Sequence, residues 1–186
     1  MTEDIRHNTQ QCATTFNPQS SVLSHLLFWP IFLGGLALDL WSKKAVFDWL
    51  LSRGQDGFQI IGQWVSFQLA LNTGAAFGIA AGQRWLLVTV SAVALIVVIA
   101  VFLFGGTNRR IIQVALALFA AGVSGNLYDR LEYGRVRDFI DVVYWPGKHW
   151  HTFNVADSML CIAVGLLILS SLFSPQSCQK RAPQQK

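Results

Sequence analysis

Residues 85–104, WLLVTVSAVALIVVIAVFLF, form a run of 20 residues without a charged side chain. A helix of about 20 apolar residues is long enough to cross the hydrocarbon core of a bilayer. The composition of the whole chain agrees, because 53% of its 186 residues are hydrophobic and only 13% are charged, against roughly 25% in soluble domains. The sequence therefore predicts an integral membrane protein built as one small bundle.

Three further apolar stretches complete the set of spans that we predict, at residues 22–41, 111–128 and 155–173. In the third span the small residues Ala117, Ala121 and Gly125 recur every four positions. This spacing places them on one helical face, where a neighbouring helix can approach closely. We predict a single membrane domain over residues 22–174, preceded by a disordered polar tail at 1–21 and followed by a polar basic tail at 175–186.

The segment between the first two spans, residues 42–84, is predicted to lie outside the membrane. Its first part is amphipathic, since Val46, Trp49 and Leu50 share one helical face, and we expect an interfacial helix there. Residues 66–72 alternate larger apolar with smaller or polar side chains, which is typical of a half-buried strand. The predicted fold class is an all-α membrane protein with four transmembrane helices, a small extramembrane β-sheet and an interfacial amphipathic helix.

Polar residues gather at one side of this predicted bundle. With four alternating spans, the end of span one, the start of span two, the end of span three and the start of span four share a side. The polar candidates at those places are Asp39, Lys43, Asn72, Gly74, Asn126, Asp129, Arg130, Asp138, Asn154 and Asp157. Basic residues occur in comparable numbers on both sides, so charge alone does not decide which side is cytoplasmic.

Asp138 and Asp157 are the candidate catalytic pair. Two carboxyl groups placed close together hold one proton between them, so that one can take a proton from water while the other donates to a carbonyl. The alternatives are structural: an ion pair of Asp138 with Arg135 or Arg137, and a capping box in which Asn154 is the N-cap. Because a helix N-terminus favours negative charge, we expect Asp157 to be ionised and the proton to reside on Asp138.

The remaining polar residues admit both a binding and a structural interpretation. Asn126 and Arg130 are four positions apart, hence on one helical face; they could contact a substrate backbone, or act as a cap and a snorkelling arginine. Asn72 and Gly74 are suited to receive an extended peptide, or form an ordinary turn. A last group is predicted to orient and brace the site: Asp39 in a buried ion pair with Lys43, and Asp129 paired with a basic neighbour.

Several other functions are disfavoured by the sequence. His149 and His151 are not accompanied by a third metal ligand or an H-E-x-x-H motif, so we predict neither a metal site nor a cofactor. The net charge of +4 comes from scattered basic residues, which points to lipid headgroups rather than nucleic acid. A transporter and a non-catalytic scaffold stay open as alternatives, although spans two and three lack the charged centre expected of a transporter.

Five blocks of the sequence together resemble one family, lipoprotein signal peptidase, also called signal peptidase II. They are Asp39 with Lys43, NTGAAF at 72–77, GNLYDR at 125–130, VRDFI at 136–140 and FNVAD at 153–157. The resemblance implies a bacterial membrane aspartic endopeptidase that cuts prolipoproteins before a diacylglyceryl-modified cysteine. It further implies that Asp138 and Asp157 are the catalytic dyad.

The same resemblance implies the setting of the site. Asn72, Asn126, Arg130 and Asn154 would line it, and it would face the periplasmic side of the cytoplasmic (inner) membrane. The implied partners are prolipoprotein substrates, membrane lipids and a globomycin-type inhibitor, and we expect a monomer.

Overall fold

The computed structural model describes residues 18–75, 78–105 and 109–173, with side chains described from His25 onward. The helices are α1 (Pro18–Ser52), α2 (Arg84–Phe104), α3 (Arg110–Glu132) and α4 (Val155–Leu172). The strands are β1 (Gly57–Ile61), β2 (Val65–Asn72), β3 (Val136–Trp145) and β4 (Lys148–His149). In the described part of the chain, all four helices are long and apolar enough to cross a membrane. The predicted tails fall largely outside it, at 1–17 and 174–186.

The first helix extends well beyond its predicted end. The amphipathic segment that we expected as a separate interfacial helix is helical, but it continues α1 without a break to Ser52. Residues 42–52 contain neither glycine nor proline, so nothing in them interrupts a helix. The chain turns only at Gly54, which has a φ of 63°, a conformation that favours glycine. The connection between α1 and α2 therefore comprises residues 53–83.

Helix α3 is the centre of the bundle and packs closely against α1 and α4. Its alanines at 115, 117, 120 and 121 are fully buried, and a Cβ added at Gly125 would meet the carboxylate of Asp39 on α1. A Cβ at Gly122 would lie 2.6 Å from the carbonyl oxygen of Ala156 on α4. The predicted close approach along the small-residue face is thus confirmed, and two neighbouring helices share that face.

Helix α2 packs more loosely at the edge of the bundle. Val98 is its one buried residue among those described, and Phe102 stacks on Phe28 of α1 with ring centroids 3.8 Å apart. Large apolar side chains such as Ile96 and Phe104 are 67% and 84% exposed. Such exposed apolar surface is ordinary for a helix whose outer face meets lipid.

A four-stranded antiparallel sheet in the order β1-β2-β3-β4 joins the extramembrane ends of the helices. The predicted strand at residues 66–72 is present within β2, and the connection between spans three and four, for which no strand was predicted, forms β3 and β4. Residues 136–145, VRDFIDVVYW, are rich in β-branched and aromatic side chains, which favour strands. Consequently Asp138 lies on a strand rather than at a helix end, and all-α is too narrow a description of the fold.

The packing of Gly125 leads to a stability prediction. We expect Gly125→Ala to lower the free energy of unfolding by about 1–3 kcal/mol, because the added methyl group overpacks the contact with Asp39. The measurement is thermal unfolding of the purified protein in detergent micelles. Gly165→Ala in α4 is the matched control, since a Cβ there has nothing within 4 Å. Equal melting temperatures for the two variants would show that this contact is not tight.

Candidate active site

The N-terminus of α4 presents Asp157 toward the sheet. Asn154 is the N-cap: its side-chain oxygen accepts from the Asp157 backbone N–H at 3.0 Å, and the Asp157 carboxylate accepts from the Asn154 backbone N–H at 3.1 Å. This reciprocal pair is the predicted capping box. It holds the Asp157 side chain over the first turn, where the helix dipole stabilises a negative charge.

Asp138 reaches the same place from near the start of β3. The residue is only 1% exposed, and its carboxyl group accepts hydrogen bonds from two amide side chains. Asn154 Nδ2 donates to Oδ1 at 2.6 Å, and Asn72 Nδ2 donates to Oδ2 at 3.1 Å. The carboxyl is thus held by residues from β2 and from the start of α4.

Two asparagines link the carboxyl groups to each other. Asn126 Nδ2 donates to Asp157 Oδ1 at 2.8 Å, while its Oδ1 accepts from Asn154 Nδ2 at 3.1 Å. The same Asn154 nitrogen donates to Asp138. Asp138 and Asp157 are therefore members of one hydrogen-bond network, supported by α3 and the α4 cap.

The electrostatics of the pair are asymmetric. Burial, and then the nearby charge of Asp157, raise the pKa of Asp138 from its usual 3.8 to about 6, against the opposing effect of the Asn72 and Asn154 hydrogen bonds. Both causes act by disfavouring the ionised carboxylate. Near pH 6 Asp138 therefore retains a proton for part of the time, as expected for the acid member of an aspartic dyad.

A buried cation lies directly behind the asparagines. Lys43 Nζ is fully buried and donates to Asn126 Oδ1 at 3.0 Å. It lies 2.8 Å from Asp39 Oδ2 and 3.4 Å from Asp129 Oδ2. The predicted ion pair of Asp39 with Lys43 is present. The other Asp39 oxygen accepts from the Ala156 backbone N–H at 2.8 Å, which ties α1 to the first turn of α4.

Arg137 pairs with Asp129 and not with its sequence neighbour Asp138. Its Nη2 donates to Asp129 Oδ1 at 2.8 Å, and its backbone N–H donates to Oδ2 at 3.0 Å. The predicted basic partner of Asp129 is therefore Arg137, together with Lys43. The side chains bound to Asp138 are those of Asn72 and Asn154, and among the described residues neither Arg135 nor Arg137 forms an ion pair with it, so that alternative is wrong.

Arg130 connects α3 to the chain that follows β2. Its Nη2 donates to the Gly74 carbonyl at 3.0 Å, and the Gly74 N–H donates to Asn72 Oδ1 at 2.8 Å. The backbone at 72–74 is thus held at both ends, next to the carboxyl of Asp138. The structure brings all ten predicted site residues into this one connected region.

A cavity of about 400 Å³ opens beside the dyad. Asp138, Asp157, Asn126 and Arg130 line it together with apolar residues of β3 and α4, among them Val136, Phe153, Leu160 and Cys161. Because its apolar wall includes residues of a candidate membrane span, an amphipathic ligand could bind there with its polar part at the carboxyl groups.

A second polar cluster, which the sequence does not predict, lies farther along the sheet. Asp141 accepts from Ser66 Oγ at 3.1 Å and from Gln68 Nε2 at 2.9 Å, and it lies 2.8 Å from His149 Nδ1. The signal in the sequence is an acidic residue within the apolar strand of residues 136–145. Its meaning depends on the pairing of β2 with β3, which joins residues about 75 positions apart.

Comparisons with known proteins agree with this geometry. A family model described as signal peptidase (SPase) II matches residues 31–173. A lipoprotein signal peptidase of Pseudomonas putida is 40% identical over 166 residues, covering 87% of this chain and 95% of that protein. One from Geobacter sulfurreducens is 37% identical over 155 residues, covering 80% and 93%.

A solved structure described as a bacterial membrane enzyme determined by the in meso method at 2.3 Å resolution has a TM-score of 0.67. It is 26% identical in sequence, with 90% of this chain and 95% of that chain covered. The chain belongs to the signal peptidase II family. It is therefore a peptidase with four membrane helices, and the transporter and scaffold alternatives no longer apply.

The second cause of the raised pKa of Asp138 can be tested directly. We expect Asp157→Asn to lower the pKa of Asp138 from about 6 by roughly 1, since a neighbouring negative charge is removed while the larger effect of burial remains. The measurement is a ¹³C NMR titration of the carboxyl group in micelles. Asp48→Asn is the matched control, because Asp48 is exposed and pairs with Lys44. An unchanged pKa in Asp157→Asn would contradict the electrostatic coupling.

Proposed function

We propose that this peptidase removes signal peptides from bacterial prolipoproteins, and that it cuts before the cysteine that carries diacylglycerol. The proposal rests on one observation: Asp138 and Asp157 line one cavity and share one amide network where the apolar bundle meets the sheet. A substrate with an apolar signal sequence before the cut and a lipid just after it has both flanks in the bilayer. A catalytic dyad at this boundary would lie at the same depth in the membrane as the scissile peptide bond of such a substrate.

The proposed reaction uses the two carboxyl groups as acid and base. Ionised Asp157, held at the helix N-terminus, takes a proton from a water molecule as the water oxygen attacks the scissile carbonyl carbon. Protonated Asp138 donates its proton to the carbonyl oxygen, so a neutral tetrahedral diol forms. Asp157 then returns its proton to the leaving nitrogen while Asp138 recovers one from the diol, and the C–N bond breaks without a covalent intermediate.

Lys43 is proposed as a positioning residue that acts through Asn126. The Asn126 amide oxygen accepts from both Lys43 and Asn154, so its nitrogen is the atom that donates to Asp157. A reversed amide would place an N–H group against the Lys43 ammonium, at the cost of several hydrogen bonds. Asp39 and Asp129 neutralise the charge of Lys43, and they orient the site indirectly, through Lys43 and Asn126.

The substrate backbone is proposed to lie against Asn72, Gly74, Asn126, Arg130 and Asn154. Gly74 fits this role because its N–H and carbonyl are already fixed by Asn72 and Arg130. A Cβ at Gly74 would lie within 3.1 Å of the backbone of Gly78 and Ile79, so no larger residue fits there. The 72–74 segment is thereby held close to the chain at Gly78 and Ile79 and beside Asp138.

We also propose the placement of the site in the cell and its inhibition. The site would face the periplasmic side of the cytoplasmic membrane, with the last turns of α1 at the interface. In support, Trp49 packs edge-on against Phe58 of β1 with ring centroids 5.0 Å apart, and Arg53 lies over the Trp49 ring. Amphipathic aromatic and basic side chains of this kind favour headgroups. A monomer would contain the complete site, and a globomycin-type inhibitor would compete for the cavity beside the dyad.

The dyad can be tested by single isosteric substitutions. We expect Asp138→Asn and Asp157→Asn each to reduce kcat for a diacylglyceryl-modified prolipoprotein by about 10²–10⁴-fold, because each removes one partner of the proton transfer. The measurement is cleavage in detergent or liposomes, followed by the mass of the released signal peptide. Asp48→Asn should cleave as the unsubstituted enzyme does. Folded Asp138→Asn or Asp157→Asn protein that retains normal turnover would refute the mechanism.

A further inference from the structure

A second cavity, of about 650 Å³, adjoins the one described above. The two share five residues as a common wall, Asn72, Asp138, Trp150, His151 and Thr152. Away from that wall the second cavity runs along the sheet past Gln68, Thr73, Asp141 and His149. We call this second cavity the polar cleft. Asp138 is thus one of the residues at which the two cavities meet.

A fixed carboxylate forms part of the wall of the polar cleft. Asp141 is only 3% exposed, and the side chains of Ser66, Gln68 and His149 all contact its Oδ2 atom. The three contacts come from β2 and β4, so they hold the carboxylate rigidly between neighbouring strands. The described residues that line the cleft include no lysine and no arginine. The titratable side chains of this lining are Asp138, Asp141, His149 and His151, and His149 forms an ion pair with Asp141 only when its imidazole is protonated. The net charge of the surface is therefore negative wherever the two imidazoles are neutral.

We propose that the polar cleft is a subsite for the first residues of the mature lipoprotein after the lipidated cysteine, and that it selects basic over acidic side chains there. The inference rests on the proposed function and extends it to a part of the substrate that the dyad does not touch. The residues that would set the preference are Asp141, as the source of charge, and its partners on β2 and β4.

The direction of the substrate follows from the chemistry of the two cavities. The signal sequence is apolar and the cysteine carries a lipid, so both favour the cavity walled by residues such as Val136 and Leu160. Of the three parts of the substrate, only the chain that follows the cysteine is polar and extends into water. Since the scissile bond lies at Asp138, where the cavities meet, that chain leaves through the polar cleft.

The charge preference follows from the fixed carboxylate. An ammonium or guanidinium group of the substrate in the cleft would be attracted by Asp141, and a carboxylate there would be repelled. Because the cleft is open to water, the attraction is that of a partly screened pair. Asp141 is not among the side chains that bind Asp138 or Asp157 in the described hydrogen bonds. We therefore expect the attraction to change kcat/KM through substrate binding and to leave the bond-breaking step unaltered.

The test compares three diacylglyceryl-modified substrates that differ only in the two residues after the cysteine: Lys-Lys, Ser-Ser and Glu-Glu. For the unsubstituted enzyme we expect kcat/KM to be about three- to tenfold higher for Lys-Lys than for Glu-Glu. Asp141→Asn should lower kcat/KM for Lys-Lys and raise it for Glu-Glu, bringing the ratio below about twofold. A merely structural role for Asp141 would lower both values together and leave the ratio as it was.

Two further measurements keep the test decisive. Asp48→Asn, which removes one exposed negative charge at a residue that does not line the cleft, should retain the preference. If Asp141→Asn does not fold, the unsubstituted enzyme at about 0.5 M salt serves instead, because screening at short Debye length should reduce the Lys-Lys to Glu-Glu ratio. A ratio near one at low salt, with Ser-Ser still cleaved, would overturn the subsite and leave the proposed function intact. Failure to cleave any of the three would overturn both.

Discussion

The buried ammonium group of Lys43 is the constraint on which the site depends. An unpaired charge in an apolar bundle is costly, and its neighbours must satisfy it. The ammonium group of Lys43 is paired with Asp39 on its own helix and with Asp129 and Asn126 on α3. Each of these partners has a second contact on another element, so the cluster connects almost every part of the molecule that carries a site residue.

Those second contacts explain why the site has a defined geometry. Asp39 binds the backbone of Ala156 in the first turn of α4, Asp129 binds Arg137 on β3, and Asn126 binds Asp157. Strand β3, which carries Asp138, and helix α4, which carries Asp157, are therefore both positioned by contacts to residues that bind Lys43. The small residues of α3 make this possible, because the absence of a side chain at Gly125 lets the Asp39 carboxylate approach the α3 backbone.

Much of this architecture can be predicted from the sequence, since the signals are local. The spans follow from uncharged runs, the capping box from Asn154 and Asp157, and the Asp39–Lys43 pair from helical spacing. The pairing of β2 with β3, the position of Asp138 on a strand and the cluster around Asp141 were not predicted, because they depend on contacts between distant segments. The continuation of α1 to Ser52 was missed because amphipathicity indicates a helix but does not show whether it is separate from the one before it.

The distribution of the site over the chain also bears on biogenesis. Asp157 and Asn154 belong to the last of the four described helices, and every hydrogen bond that joins the two carboxyl groups passes through one of these residues or its partner Asn126. Synthesis proceeds from the N-terminus, so α1, α2 and α3 are made before α4. A polypeptide that ends before α4 therefore lacks Asp157, the Asn154 cap and the α4 wall of the cavity, so the arrangement around Asp138 is complete only once α4 has docked against α3.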